Sequence, residues 1–265
     1  MRTILLVAGE GRRLRPYTND RPKSLVEVDG HSLLKRQLSV LNSLSINEIL
    51  AVTGYKAEKL FGFNFSHFIE NSRYAETNMV YSLMCAKQYF DQDILITYGD
   101  IVYSPEVLER LISTVGDLVV AVDKNWSEYW HKRSDEPLSD LESLKIGEDQ
   151  NIIDIGNKVS SFSEIDGQYI GLVKISRRSL KFLSDSIETH GTTSSIFAGK
   201  TLENSYMTDM IQMMIDNGFT AKASFFSEPW VEVDTVEDLT SYETKSRLKL
   251  IEQNTKKFLK RVNKH

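Results

Sequence analysis

A chain of 265 residues with 41% hydrophobic and 26% charged residues has ordinary globular composition and enough length to bury a core without disulfide or metal staples. Its net charge of −5 is unevenly spread: residues 241–265 carry eight Lys/Arg and two Glu, a balance of +6, which leaves −11 on the preceding 240 and excludes a general nucleic-acid surface there. The single cysteine, Cys85, excludes an internal disulfide; no run of about 18 apolar residues exists to span a bilayer, and the N-terminus MRTILLVAG lacks the apolar region and cleavage site of a signal peptide, so the reading is a soluble cytoplasmic protein.

The apolar run at residues 3–8 predicts a first strand that ends in glycine. It leads into GEGRRLRPYTNDRPK, a loop that opens with Gly9 and Gly11 and gathers Arg12, Arg13, Arg15, Arg21 and Lys23. Five positive charges on one loop of an acidic chain ask for an anion. A glycine turn lets backbone amides approach a nucleotide, and the basic side chains neutralise a polyphosphate. Leu14 stands where the dinucleotide fingerprint G-x-G-x-x-G needs its third glycine, and nothing matches G-x-x-x-x-G-K-[ST], so both of those phosphate loops are excluded.

Leu33, Leu34, Gln37, Leu38 and Leu41 form one helical face, and Val80, Leu83, Met84, Lys87 and Phe90 a second. Strands are predicted at residues 48–53, 93–98 and 118–122. This alternation argues for an α/β fold with a Rossmann-like, mainly parallel central sheet and helices on both faces. In such sheets ligands bind beyond the carboxyl ends of the strands, where the opening loop lies.

Residues 125–164 are polar and weakly periodic, and carry Trp126 and Trp130. They read as an excursion from the sheet followed by a short hairpin, an acceptor-binding flap over about residues 123–166. A strand at 168–175, a last helix at 207–217 and closing strands at 221–226 and 230–233 follow. In the tail, Leu248, Ile251, Phe258 and Val262 recur at helical spacing among Lys and Arg. This predicts a basic amphipathic helix over 241–265, appended to a main domain of residues 1–240 and packed on that domain or, as a homo-oligomer contact, on a second subunit.

The stretch LVAGEGRRLRPYTNDRPKSLVEV closely resembles the signature of nucleotidyltransferases that join a nucleoside triphosphate to a phosphorylated acceptor, G-x-G-x-R…P-x-T…P-K. Gly9, Gly11, Arg13, Pro16, Thr18, Pro22 and Lys23 match, with Val7-Ala8-Gly9 where the family often has Ala-Ala-Gly. ILITYGDIVY and WVEVDTVEDL resemble the family's two strand-ending aspartates, which implies Asp100 and Asp234 as ligands of Mg2+, an ion that takes hard carboxylate donors. The resemblance implies that Ala8, Gly9, Gly11 and Asp100 bind the nucleotide, and that Arg13 and Lys23 hold the β- and γ-phosphates. An acceptor oxygen then attacks the α-phosphorus in line and pyrophosphate leaves. Lys158, after Gly156-Asn157, resembles the family lysine that meets the acceptor phosphate; its alternative is a solvated hairpin lysine.

NSRYAETNMVYSL, IDGQYIGLVKIS and YMTDMIQMMIDNG are similar to a smaller, CTP-dependent branch that acts on phosphocholine, 2-aminoethylphosphonate or phosphoglutamine. This implies CTP as donor, with Thr77 and Asn78 beside the base, although an Asn before a helix is equally a cap. Trp126 and Trp130 are candidates to hold the acceptor's ammonium by cation–π attraction, or else anchors of the flap. Tyr169 and Asp209 are further acceptor candidates, Asp209 also reading as a first-turn acid. Two other readings stand beside this one: a sugar-1-phosphate nucleotidyltransferase using UTP, dTTP or GTP, and a nucleotide-sensing scaffold.

Overall fold

A computed structural model describes residues 1–133 and 136–262. Its centre is β1 (Arg2–Val7), whose side chains alternate: Ile4 and Leu6 enter one hydrophobic core, Leu5 and Val7 the other. In chain order β1 is followed by the short pair β2 (Glu27–Val28) and β3 (His31–Ser32), then α1 (Leu33–Ser43), β4 (Ile49–Thr53), β5 (His67–Glu70), α2 (Met79–Cys85), β6 (Ile94–Tyr98) and β7 (Ile101–Tyr103). Next come α3 (Pro105–Ser113), β8 (Leu118–Asp123), α4 (Trp126–Arg133), β9 (Glu142–Ile146) and β10 (Asn151–Lys158). The chain closes with β11 (Gln168–Ile175), α5 (Arg177–His190), α6 (Met207–Asp216), β12 (Ala221–Phe226), β13 (Trp230–Glu232), α7 (Val236–Thr240) and α8 (Tyr242–Val262).

Nine strands form one sheet in the order β5-β4-β1-β6-β11-β8-β12-β10-β9. β5, β4, β1 and β6 are mutually parallel, as are β8 and β12, while β11 and β10 run against their neighbours. The expected Rossmann-like, mainly parallel sheet is present, and both faces are covered. α1, α3 and α8 supply Leu33, Leu41, Val107, Leu111 and Ile251 to the core that holds Leu5, whereas α2, α5 and α6 supply Val80, Leu83, Leu180, Leu183 and Met210 to the other. Burying each such side chain stabilises the fold by about 1.5–3 kcal/mol.

The molecule departs from the sequence reading in three places. β5 was not expected, because an edge strand with only Ile69 buried shows no apolar alternation. The polar stretch after β8 does not leave the sheet as a flap: α4 leads into β9 and β10, an antiparallel pair that extends the sheet beyond β12. β13 pairs with β7 in a separate two-stranded ribbon. The tail forms the expected helix and packs on its own chain, against α1, α3 and the ribbon, with Leu248, Ile251 and Phe258 buried. Val262 is 45% exposed, so the buried face ends a turn earlier than the spacing predicts. Among the described residues no helix is long and apolar enough to cross a membrane.

Candidate active site

The site forms where the parallel strands end, and two glycines make it possible. Gly11 sits at φ +63°, and a Cβ there would lie 2.9 Å from the Cβ of Lys23, so the two halves of the opening loop meet only because this residue lacks a side chain. At Gly99 a Cβ would fall 2.4 Å from Val7 Cγ1, so the end of β1 presses directly on the turn that presents Asp100. From α1 the Gln37 amide Nε2 donates to Thr97 Oγ1 (2.9 Å) and the carbonyls of Tyr98 (2.8 Å) and Ile101 (3.2 Å), which pins the same turn from beneath.

Asp100 and Asp234 come together through the β7–β13 ribbon. Its register sets Ile101 opposite Glu232, and the Val233 amide donates to the Asp100 carbonyl at 3.0 Å. Asp234 is held in turn by Asp238, whose carboxylate accepts the amides of Asp234 and Thr235 at 2.9 Å each and closes a capping box with Thr235. Lys23 Nζ donates to Asp100 (2.6 Å) and to Asp234, and Arg13 pairs with Asp234. The other loop cations are engaged elsewhere: Arg12 (2.7 Å) and Arg15 (3.1 Å) pair with Glu10, and Arg21 with Asp20 (2.9 Å). The Arg12 hydrogen bond holds the Glu10 carboxyl below the usual carboxylate range. The five-fold positive loop therefore commits two side chains, Arg13 and Lys23, to the paired aspartates.

Asp100 Oδ1 is buried and has no hydrogen-bond partner. An orphaned carboxylate oxygen beside a second carboxylate is a hard-oxygen donor set. Such a pair fits a hard divalent ion of the Mg2+ type, which one or two carboxylates bind together with phosphate oxygens and water.

A cavity of about 350 Å³ opens over this centre and brings together Ala8, Gly9, Gly11, Arg13, Lys23, Thr77, Asn78, Asp100 and Asp234. Asn78 precedes α2 but its side chain does not cap the helix; its Nδ2 donates to the Asn204 carbonyl at 3.0 Å. Thr77 Oγ1 is fixed by the Arg73 carbonyl (2.8 Å) and Asn71 Nδ2 (3.0 Å). Sequence reasoning missed Ser24, buried with an unpartnered hydroxyl, and Tyr74, which also line this cavity.

A second cavity of about 170 Å³ adjoins the first, and Arg13, Met79, Tyr98 and Asp234 line both. Of the acceptor candidates, Trp130 and Tyr169 line it, whereas Trp126, Asp209 and Lys158 do not. Trp126 is 7% exposed and packs in the core against Phe162, with ring centroids 5.9 Å apart, so it is an anchor. Asp209 is the first-turn acid of α6: it pairs with Lys200 at 2.8 Å and accepts the Tyr206 amide at 2.8 Å, while its neighbour Thr208 faces the cavity. Lys158 is exposed at the end of β10, in register with Glu142, and has no ion-pair partner among the described residues.

The wall of this cavity carries acids that sequence reasoning did not select, Asp140, Glu142 and Glu232. Burial lifts the Glu142 carboxyl above the usual range, against the Thr208 hydroxyl and Lys200, which lower it. Burial likewise lifts Glu232, against the charge of Arg133. One signal was available: Glu232 stands two residues before Asp234, and alternate positions of a strand share a face.

Residues 3–155 match the MobA-like NTP transferase domain family. A CTP:phosphoglutamine cytidylyltransferase of Campylobacter jejuni is 38% identical over 251 residues, which cover 90% of this chain and 98% of that one. A choline-phosphate cytidylyltransferase of Streptococcus pneumoniae is 36% identical over 33% of this chain and 40% of its own. The solved structure of an inositol-1-phosphate CTP transferase from T. maritima superposes with a TM-score of 0.73 over 95% of this chain and 96% of that one; at 19% identity the likeness is one of fold. Because the family match spans more than half of the chain and one relative aligns along nearly all of its own length, this protein belongs to the MobA-like NTP transferase family and is a nucleotidyltransferase.

Proposed function

We propose that this protein is a cytidylyltransferase that joins CTP to a small phosphorylated or phosphonated amine or amino acid, giving a CDP-linked product and pyrophosphate. The observation that carries the reading is the shared wall: Arg13 and Asp234 line both the glycine-loop cavity and the acid-lined one, so two substrates meet over the paired carboxylates. The relatives that act on phosphoglutamine and on choline phosphate support the choice of CTP and of a small phosphorylated acceptor.

Catalysis in this arrangement is positioning and electrostatics, with no covalent enzyme intermediate. The backbone of Ala8, Gly9 and Gly11 cradles the triphosphate, and Thr77 and Asn78 contact the base. Lys23 and Arg13 turn from the aspartates toward the β- and γ-phosphates and offset the charge that builds on departing pyrophosphate. Asp100 and Asp234 would hold Mg2+, which when bound would offset phosphate charge. Lys158, in register with Glu142 and without an ion-pair partner among the described residues, meets the acceptor's phosphate. Trp130 and Tyr169 line the acceptor's seat.

The test is pyrophosphate release with magnesium, crossing CTP, UTP, dTTP and GTP against phosphocholine, 2-aminoethylphosphonate, phosphoglutamine and several sugar 1-phosphates. Release with CTP and an amine-bearing acceptor is the expected result. Release confined to a sugar 1-phosphate with another nucleotide would overturn the reading.

A further inference from the structure

We infer that the Ser24 hydroxyl is a further ligand of the nucleotide, donating a hydrogen bond to an anionic oxygen of its triphosphate. The inference rests on the cytidylyltransferase reading and extends it to a residue that the loop signature does not include.

Among the described residues, two that line the glycine-loop cavity hold a buried polar atom without a partner, Asp100 at Oδ1 and Ser24 at its hydroxyl. The carboxylate oxygen fits the ion discussed above; the hydroxyl has nothing assigned to it. Ser24 is 2% exposed, and an unmet hydroxyl at that depth costs free energy. Serine and threonine commonly meet this cost with a main-chain carbonyl three or four residues back, as Ser43 does at Val40 (2.7 Å) and Thr240 at Val236 (2.9 Å). Ser24 makes no such bond. Its helical turn, Lys23–Leu25, is closed by main chain alone, Leu25 N to the Pro22 carbonyl at 2.9 Å and Val26 N to the Lys23 carbonyl at 3.1 Å. The turn therefore holds the hydroxyl in place without using it.

The neighbours say which part of the nucleotide the hydroxyl meets. The cavity lining falls into two clusters. In one, Lys23 joins Asp100 at 2.6 Å and also Asp234, and Arg13 joins Asp234; in the other, Asn71 ties Thr77 to Ser82 at 3.0 Å each, beside Asn78. A Cβ on Gly99 would fall 3.2 Å from the Cβ of Ser24, which sets the serine against the turn that presents Asp100 and so in the first cluster. That cluster is the one charged to receive phosphate. Lys23 attracts an anion as a point charge, whereas a hydroxyl donates one proton along one line, and its bond to an anionic oxygen is charge-assisted. Ser24 thus fixes the place of an oxygen that the lysine only attracts.

The test measures the affinity of the wild-type protein and of Ser24→Ala for CTP by calorimetry and for cytidine by NMR titration, which reads weak binding. Each is run with magnesium and with EDTA, and both proteins are also melted free of ligand. CTP is expected to bind the variant about tenfold or more weakly, with or without magnesium, while cytidine binds the two proteins alike. The ligand-free variant is expected to melt no lower than the wild-type protein, because the group it loses is an unmet one. A serine held for the fold gives the reverse, a lower melting temperature with CTP affinity unchanged, and overturns the inference. A loss shared by cytidine moves the hydroxyl to the ribose or base, and a loss confined to the magnesium samples moves it to the ion's water; either overturns the inference and leaves the cytidylyltransferase reading standing. A wild-type protein that binds no CTP overturns both.

Discussion

The nucleotide cavity and the acceptor cavity share a wall but are built on different principles. The first is made largely by one loop after β1, with chemistry carried by backbone, two glycines of fixed geometry and the ion pairs of Lys23 with Asp100 and Asp234. The second is assembled from β9, β11, β13, α4 and the start of α6, and two residues that line it, Trp130 and Gln168, each hold a buried polar atom without a partner among the described residues. A site whose lysine bridges two carboxylates is prepared for a charge that exchanges places with that lysine. A site with unmet donors and acceptors is prepared for a ligand that supplies them.

The largest effect belongs to the ion-paired centre. Lys23→Ala is expected to lower turnover in the pyrophosphate-release assay by roughly 10³-fold, the scale of losing one preorganised charge at a developing anion. The same change leaves Asp100 and Asp234 side by side without their bridging cation. Magnesium should therefore raise the melting temperature of the variant more than that of the wild-type protein, by binding the folded state alone. An equal magnesium shift in both proteins would break the idea that Lys23 occupies the place of a cation.

Arg133 tests the boundary between the two cavities, because it ties α4 to Glu232 on the acceptor side and, through Asp238, to the backbone of Asp234. Arg133→Met strands the buried carboxylate of Asp238 and the half-buried one of Glu232, and breaking a buried pair from one side costs about 3–5 kcal/mol. Denaturant unfolding measures this. A loss below 1 kcal/mol would mean that the pairs are solvated.

The contrast also explains what the sequence disclosed. Gly9, Gly11, Arg13 and Lys23 lie within one short stretch, so their shared function is a local pattern, and Thr77, Asn78, Asp100 and Asp234 joined them through motifs at strand or helix ends. The acceptor wall has no such pattern. Glu142 reaches it only because β9 pairs with β10 at the far edge of the sheet, and Trp126 and Trp130, four residues apart on α4, differ because one faces Phe162 and the other the cavity. The parallel core was legible from apolar runs, and a short hairpin was expected where β9 and β10 pair; β5 was not legible, since an edge strand with one buried residue shows no alternation, nor was the place of the β9–β10 pair at the far end of the main sheet.

Lys158→Ala addresses the rim. An exposed lysine contributes attraction to a phosphate and loses side-chain entropy when it binds, so the expected effect is about tenfold on acceptor KM, with CTP affinity unchanged. Steady-state kinetics with acceptor varied at saturating CTP gives the number. A change confined to CTP would move Lys158 to the other cavity.

The smallest effect is at Glu142, and its sign is set by burial. Desolvation lifts this carboxyl above its ordinary value, so the folded protein keeps a proton at a pH where the unfolded chain has released it. Its contribution to stability is therefore greatest below the unfolded value and is lost as pH rises to the folded one. Glu142→Gln removes that decline, and the variant should melt about 1–2 °C higher than the wild-type protein at neutral pH while melting alike in acid. Acceptor binding should move the other way: an ammonium loses a charged partner, and KM rises about fivefold at neutral pH. In the wild-type protein acceptor KM should climb as pH falls through the lifted carboxyl, and in the variant it should stay flat. Greater stability with weaker acceptor binding is the signature of a charge kept buried for its ligand; a variant that loses stability at neutral pH would show instead that Glu142 is held for the fold.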